Sequence, residues 1–406
     1  MAYKINKAAQ SGSRLENLEG LRGVAAVIVV AYHFILMFYP SMFYGIHPVL
    51  APVQNMRLED NIYGNPLNVF LSGGFAVGIF FVLSGFVLSV GFFQSGENSI
   101  IRKLALKRYL RLMLPALASI LIAFLILWLG LASYKPEATL LVHAGWLGVN
   151  WQIVPDFFNA LWQGLYGVFF AGDVTYNPVL WTMKYEFLGS FLVFIVLALF
   201  GKSRRRGILY ALLILFFFNS WYLGFVLGLV LADVFVQNKP KFKYVNQYAF
   251  AGLIVGLFVG AYPVISAVGT IYEYIKFPFL NDDANFSSHV LIGATLVIFA
   301  VLTIPKLSRF FEHPKVSWLS KYTFSLYLVH LPIIFSLTTF LFVTLHQIIG
   351  FNKAALLSCV LTLPVIAAVT WLFERYIDSP AIKLSSRFAR WFEANDDKPK
   401  RVKSNN

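Results

Sequence analysis

The chain has 406 residues, 58% of them hydrophobic and only 13% charged, with a formal net charge of +14. Soluble domains average about 45–50% apolar and about 25% charged residues, so this composition excludes an ordinary soluble protein and points to a polytopic membrane protein. The single cysteine, Cys359, excludes a disulfide framework. The polar N-terminus (MAYKINKAAQSGSRLE) lacks the charged, apolar and small-residue zones of a cleavable signal, so the first apolar run is expected to stay in the membrane.

Ten apolar segments follow in order: 20–39, 71–93, 111–132, 179–200, 207–219, 220–237, 248–268, 289–305, 322–346 and 354–373. Most are near or above the roughly 17–20 residues that cross about 30 Å of hydrocarbon. Asn219 and Ser220 divide the fifth from the sixth. Lys and Arg cluster in the N-terminal tail, at 94–111, in GKSRRRG (201–207), in NKPKFKY (238–244), at 305–321 and in the C-terminal tail. With ten spans, all of these fall on one side. The other side holds only Arg57, Lys135, Lys184, Lys276 and Lys353. That asymmetry predicts an all-α, polytopic transmembrane helical bundle of about ten spans with cytoplasmic N- and C-termini. The expected organisation is a tail over 1–19, a ten-span domain over 20–380 and a basic tail over 381–406. Within the domain, 133–178 carries Trp146, Trp151 and Trp162 among broken apolar stretches, and is expected at the outer interface or folded over the bundle. Topological bias and contact with anionic membrane lipid explain the positive charge without nucleic acid.

Arg22 and His33 lie eleven residues apart in the first apolar run. Eleven helical residues make three turns with about 20° of drift, so the two side chains share one face roughly 16 Å apart. Charged and titratable groups at such positions usually face a protein interior or wet cavity and serve function. His33 lies about 9 Å from the outer end of its span, Glu186 about 10 Å from the outer end of its own, and His330 about 12 Å from the inner end. The three are expected to converge in one layer slightly outside the midplane, with Tyr327 on the face of His330 and Arg22, Arg108 and Arg111 at the inner boundary. Gly73, Gly74, Gly78 and Gly85 are expected to let the second helix approach the first. Trp181 reads as an interface residue, and His47, His143, His289, His313 and His346 are assigned no role.

Several stretches, taken together, carry a resemblance. LEGLRGVAAVIVVAYHF (18–34), GGFAVGIFFVLSGFVLS (73–89), KRYLRLMLP (107–115), NPVLWTMKYEFLGSF (177–191) and SLYLVHLPI (325–333) occur in the order and with the spacing of the family-3 membrane acyltransferases, the O-antigen acetylase type, which the chain resembles over about 18–380. Glu19 stands where that family more often has Asp, and no hydrolase-like domain follows the last span. The resemblance implies a multi-pass enzyme of the inner (plasma) membrane. It implies transfer of an acyl group, acetyl foremost, from cytoplasmic acyl-CoA to a hydroxyl of a surface glycan, a lipid-linked sugar or a small molecule. On that reading Arg22, Lys107, Arg108 and Arg111 hold the donor phosphates and His33 is the general base. Glu186, Tyr327 and His330 complete the catalytic group. No tightly bound cofactor and no metal is expected, and the partners are acyl-CoA, the acceptor and membrane lipids. A proton-coupled transporter using His33, Glu186 and His330 stays open as the second reading, although the sequence shows no inverted repeat. An intramembrane metallohydrolase would want an H-E-x-x-H cluster, and these residues are not so spaced.

Overall fold

The computed structural model describes residues 16–44, 62–132, 151, 153–238 and 244–396. The tail up to residue 15, the part of the outer segment over 133–150 and the final basic residues 397–406 lie outside the described residues, as do His47, Arg57, Lys135, His143 and Trp146. The described residues form helices and connecting turns, with no strand among them. Among the described residues, seven helices are long and apolar enough to cross a membrane, and three shorter apolar helices accompany them. Each of the ten apolar segments overlaps one of these ten.

α1 (Glu16–Phe38) is followed by α2 (Gly73–Ser95), the most enclosed of the seven long helices. Ser72 caps the start of α2 by accepting from the Phe75 N–H. α3 (Asn98–Trp128) is one helix of 31 residues. The expected third span, 111–132, is therefore only its distal part, because the basic stretch before it consists of good helix formers and continues the same helix.

α4 (Phe157–Trp162) continues through a π-helical stretch, Gln163–Ala171, and runs antiparallel alongside α3. Phe157 meets Phe124 at 5.8 Å between ring centroids, Tyr109 donates to the Leu165 carbonyl, and Phe169 packs on Tyr109 at 5.7 Å. The chain turns at Gly172 (φ +78°), a left-handed conformation that favours glycine. It then climbs back to Asn177, whose amide reaches Ser119 of α3 at 3.3 Å. Gln163, fully buried, donates to Asp173 at 2.7 Å and accepts from the Tyr176 N–H at 3.2 Å. The described part of the outer segment is therefore a hairpin packed along α3, which buries Ala160, Gln163, Val168 and Phe169 and leaves Phe158, Tyr166 and Phe170 exposed on its other face. In its non-helical return, the buried Gln163 side chain satisfies the Tyr176 N–H.

α5 (Trp181–Phe200), α6 (Arg206–Phe217), α7 (Tyr222–Asp233), α8 (Val245–Gly260) and α9 (Asp282–Thr303) come next. α10 (Pro305–Glu312) precedes α11 (Thr323–Ile333), which passes through a π-turn into α12 (Thr339–Ile349). α13 (Phe351–Phe373) and α14 (Ser379–Asp396) form a long terminal rod, with α14 packed against α3.

α2 packs on α1, α7 and α9. Of its glycines, only Gly73 opens toward α1, where a Cβ would meet Tyr32. Gly74 and Gly78 face Phe286 and Val290 of α9, and Gly85 faces the Phe225 backbone of α7. The small residues thus serve three neighbours rather than the first helix alone. Trp181 is also more enclosed than an interface residue, packing against Phe81, Tyr185 and Trp221 at 5.2–6.2 Å.

Candidate active site

α1, α2, α3, α5 and α11 enclose a cavity of about 240 Å³. Phe80, Leu83, Leu88, Leu112, Met183 and Phe324 give it apolar walls, while Glu19, Arg22, Arg108, Arg111 and Glu186 bring charge to one end and Thr182 and Tyr327 close the other. Arg108 and Arg111 share a face of α3 because residues three apart on a helix are neighbours.

Arg108 donates from Nη2 to Glu186 Oε1 at 2.5 Å and from Nε to Ser190 Oγ at 2.7 Å, and Ser84 donates to the same carboxylate oxygen at 2.7 Å. Arg111 is ion-paired to Asp378 and lies over the Phe324 ring at 4.9 Å. Arg22 feels both members of that pair but makes no hydrogen bond or ion pair with another described residue. Lys107 is turned about 100° from Arg108 around α3. Its charged neighbours are Lys103 and, on α14, Arg390 and Glu393, so it lies off the cavity wall.

Above this charged layer His33 and His330 meet. His330 Nε2 and His33 Nδ1 are 3.1 Å apart, with ring centroids at 4.9 Å. Each Nδ1 also faces the carbonyl one turn back on its own helix, Val29 at 2.8 Å for His33 and Leu326 at 2.9 Å for His330. A carbonyl only accepts, so in the neutral rings both Nδ1 atoms carry hydrogen. His330 Nε2 then accepts from His33 Nδ1–H, a hydrogen shared with the Val29 carbonyl. The Tyr327 hydroxyl donates to the Val179 carbonyl at 2.5 Å and meets the Thr182 hydroxyl at 2.8 Å. Its ring lies between Phe80 and His330, at 6.2 and 6.1 Å respectively.

The expected single layer of His33, Glu186 and His330 divides in two. Glu186 lies one turn below Thr182, which touches Tyr327, and His330 nearly one turn above Tyr327. Glu186 and His330 are thus separated by about 10 Å along the helix axes. Glu186 belongs with the arginines, drawn there by Arg108, a partner 78 residues away that its own helix cannot reveal.

Ser84, Asn177 and Asp378 stand in these networks without having been singled out from the sequence. For Asp378 a signal existed: Glu374 and Asp378, one turn apart, extend an apolar helix with two acids, an expensive placement that implies partners. Among the described residues, no group of three or more His, Cys, Asp or Glu is placed to hold a metal ion.

A family model described as an acyltransferase domain matches residues 15–373. The chain belongs to this acyltransferase family. It is similar to Acyltransferase clz18 of Cochliobolus lunatus, 24% identical over 452 aligned residues covering 90% of this chain and 94% of the relative. It is also similar to Acyltransferase R4 of a Phoma species, 23% identical over 471 residues covering 94% and 97%. No solved structure matches it. The protein is thus a membrane-helical acyltransferase, and the cavity and histidine pair lie within the acyltransferase domain. Membership favours acyl transfer over the proton-coupled transporter.

Proposed function

We propose that this acyltransferase moves an acyl group, acetyl foremost, from cytoplasmic acyl-CoA to a hydroxyl on a glycan, a lipid-linked sugar or a small molecule, with both termini cytoplasmic. The observation that carries this reading is Arg22: a guanidinium without a hydrogen-bonded partner among the described residues, in a cavity with Arg108 and Arg111, on the face of α1 that leads to His33. Arg108 and Arg111 have acids beside them, so Arg22 is the group with donors to offer a phosphate, in the planar forked geometry that suits it. The apolar walls suit a pantetheine arm, and the roughly 16 Å from Arg22 to His33 along α1 matches the reach of an extended one once Thr182 and Tyr327 let it pass. Lys107 contributes to the cytoplasmic field rather than to the cavity.

At the reacting centre, His33 takes the proton of the acceptor hydroxyl as its oxygen attacks the thioester carbonyl. The carbon–sulfur bond breaks, and the imidazolium returns the proton to the CoA thiolate. Glu186 holds Arg108 in place, and Tyr327 with Thr182, at the closed end of the cavity, stands between the arginines and the histidine pair. The test is thermal shift of the purified protein in nanodiscs with acetyl-CoA and CoA. Saturable stabilisation that Arg22→Ala loses is the expected result. A well-folded wild type that neither ligand stabilises overturns the donor assignment.

A further inference from the structure

Where the terminal rod meets α3 there is a second concavity, an open groove of about 470 Å³. Leu114 of α3, Ile377 of the π-helical turn Glu374–Asp378 and Leu384 of α14 line its apolar part, while Tyr376, Lys383 and Arg387 supply its polar part. None of these residues lines the cavity of the candidate active site. We propose that this groove binds an anionic phospholipid of the surrounding bilayer, with the phosphate between Lys383 and Arg387 and an acyl chain along Leu114, Ile377 and Leu384.

Lys383 and Arg387 lie one turn apart on α14, so their side chains are neighbours. Both are exposed, and neither makes a hydrogen bond or ion pair with another described residue. Like charges so placed repel one another along a helix, and a phosphate between them relieves that repulsion through charge-assisted hydrogen bonds. The rest of α14 sorts into stripes. Ala381, Ser385 and Ala389 are buried on the side packed against α3. Leu384, Phe388 and Trp391 form an exposed apolar stripe, and Lys383, Arg387 and Arg390 form a basic one about 100° further round. A helix built this way lies in the interfacial plane of a bilayer, with its apolar stripe toward the acyl chains and its cations among the headgroups. The groove opens where the two stripes meet, so it offers chain and phosphate contacts side by side. A free phosphate would use the cations alone and leave the apolar part wet, whereas a phospholipid fills both. The choline of a zwitterionic lipid would bring a further cation to Lys383 and Arg387, which an anionic headgroup does not.

The experiment follows lipid binding to the purified full chain in neutral detergent, by native mass spectrometry and by the thermal midpoint. The probes are dioctanoyl phosphatidylglycerol, dioctanoyl phosphatidylcholine and inorganic phosphate. Expected for wild type is saturable binding of the phosphatidylglycerol, with a raised midpoint that neither other probe gives. Lys383→Gln combined with Arg387→Gln is expected to weaken that binding about thirtyfold, about fivefold for each cation set against an anionic headgroup. Arg204→Gln combined with Arg205→Gln removes the same charge from an exposed turn elsewhere and is expected to leave binding unchanged. Wild-type binding by the first double variant, or an equal loss in the second, overturns the assignment of the groove. Phosphatidylcholine held as tightly as phosphatidylglycerol overturns the anionic headgroup, and inorganic phosphate that stabilises equally overturns the lipid. These wild-type comparisons decide alone if the first double variant does not fold, and a wild type that retains none of the three probes overturns the proposal outright.

Discussion

At the scale of single residues, the proposed mechanism places the chemistry on His33. His33→Ala is expected to abolish acyl transfer while the protein is still made and inserted, read as product formed per unit of purified protein; near-normal turnover contradicts the role. The Arg22–His33 relation is legible in the sequence because both residues lie on one helix, and helical geometry relates positions on one helix without further information. Which of two adjacent cations faces the cavity is not legible in that way. Lys107 and Arg108 look equivalent until α3 is seen to begin at Asn98 and α14 to lie along its other side. Glu186 presents the same difficulty. Its depth in its own span was readable, but the pull of Arg108 comes from another helix.

At the scale of elements, α11 illustrates how a sequence motif becomes a brace. The proline of SLYLVHLPI opens the helix two residues beyond His330, and the asparagine of NPVLWTMKYEFLGSF fills the gap. Removing Asn177 leaves a buried carbonyl without a donor, which costs about 1–3 kcal/mol. Asn177→Ala is therefore expected to lower the thermal midpoint and the activity together. Pro332→Ala restores an N–H to the helix, so in the double variant the loss is smaller than the sum of the two single losses. Strict additivity in that cycle contradicts the brace. The two motifs were visible separately, but their contact spans 151 residues and was not. The same limit explains the hairpin of α4. Its apolar stretches are too short and interrupted to read as a span, and Gln163, Asp173 and Tyr176 reveal their purpose only once they meet.

At the scale of the whole molecule, α2 is the axis about which α1, α7 and α9 are assembled. Its tightest approach is reciprocal: a Cβ at Gly85 would stand 2.2 Å from the Phe225 carbonyl oxygen, and one at Gly228 would stand 2.1 Å from that of Val82. Neither backbone can yield without moving a helix. Gly228→Leu is expected to destabilise the fold by more than the about 1–3 kcal/mol typical of overpacking a side chain, seen as a lower midpoint in fluorescence-detected thermal unfolding. An unchanged midpoint shows that the two helices are free to separate. Much of the molecule's helical content was legible from hydropathy, because a span is a local property of about twenty residues. The interior order of the helices was not, since it is set by which small residues face which neighbour.

The hairpin of α4 has a consequence for parity. It runs down beside α3 and returns toward the end from which it came, so it adds a helix without carrying the chain to the other end of α3. Counting this hairpin as a crossing would reverse the side assigned to every later loop relative to the ten-span reading. The detour can therefore lengthen, shorten or change its aromatic face among related chains while the sidedness of everything downstream stays the same.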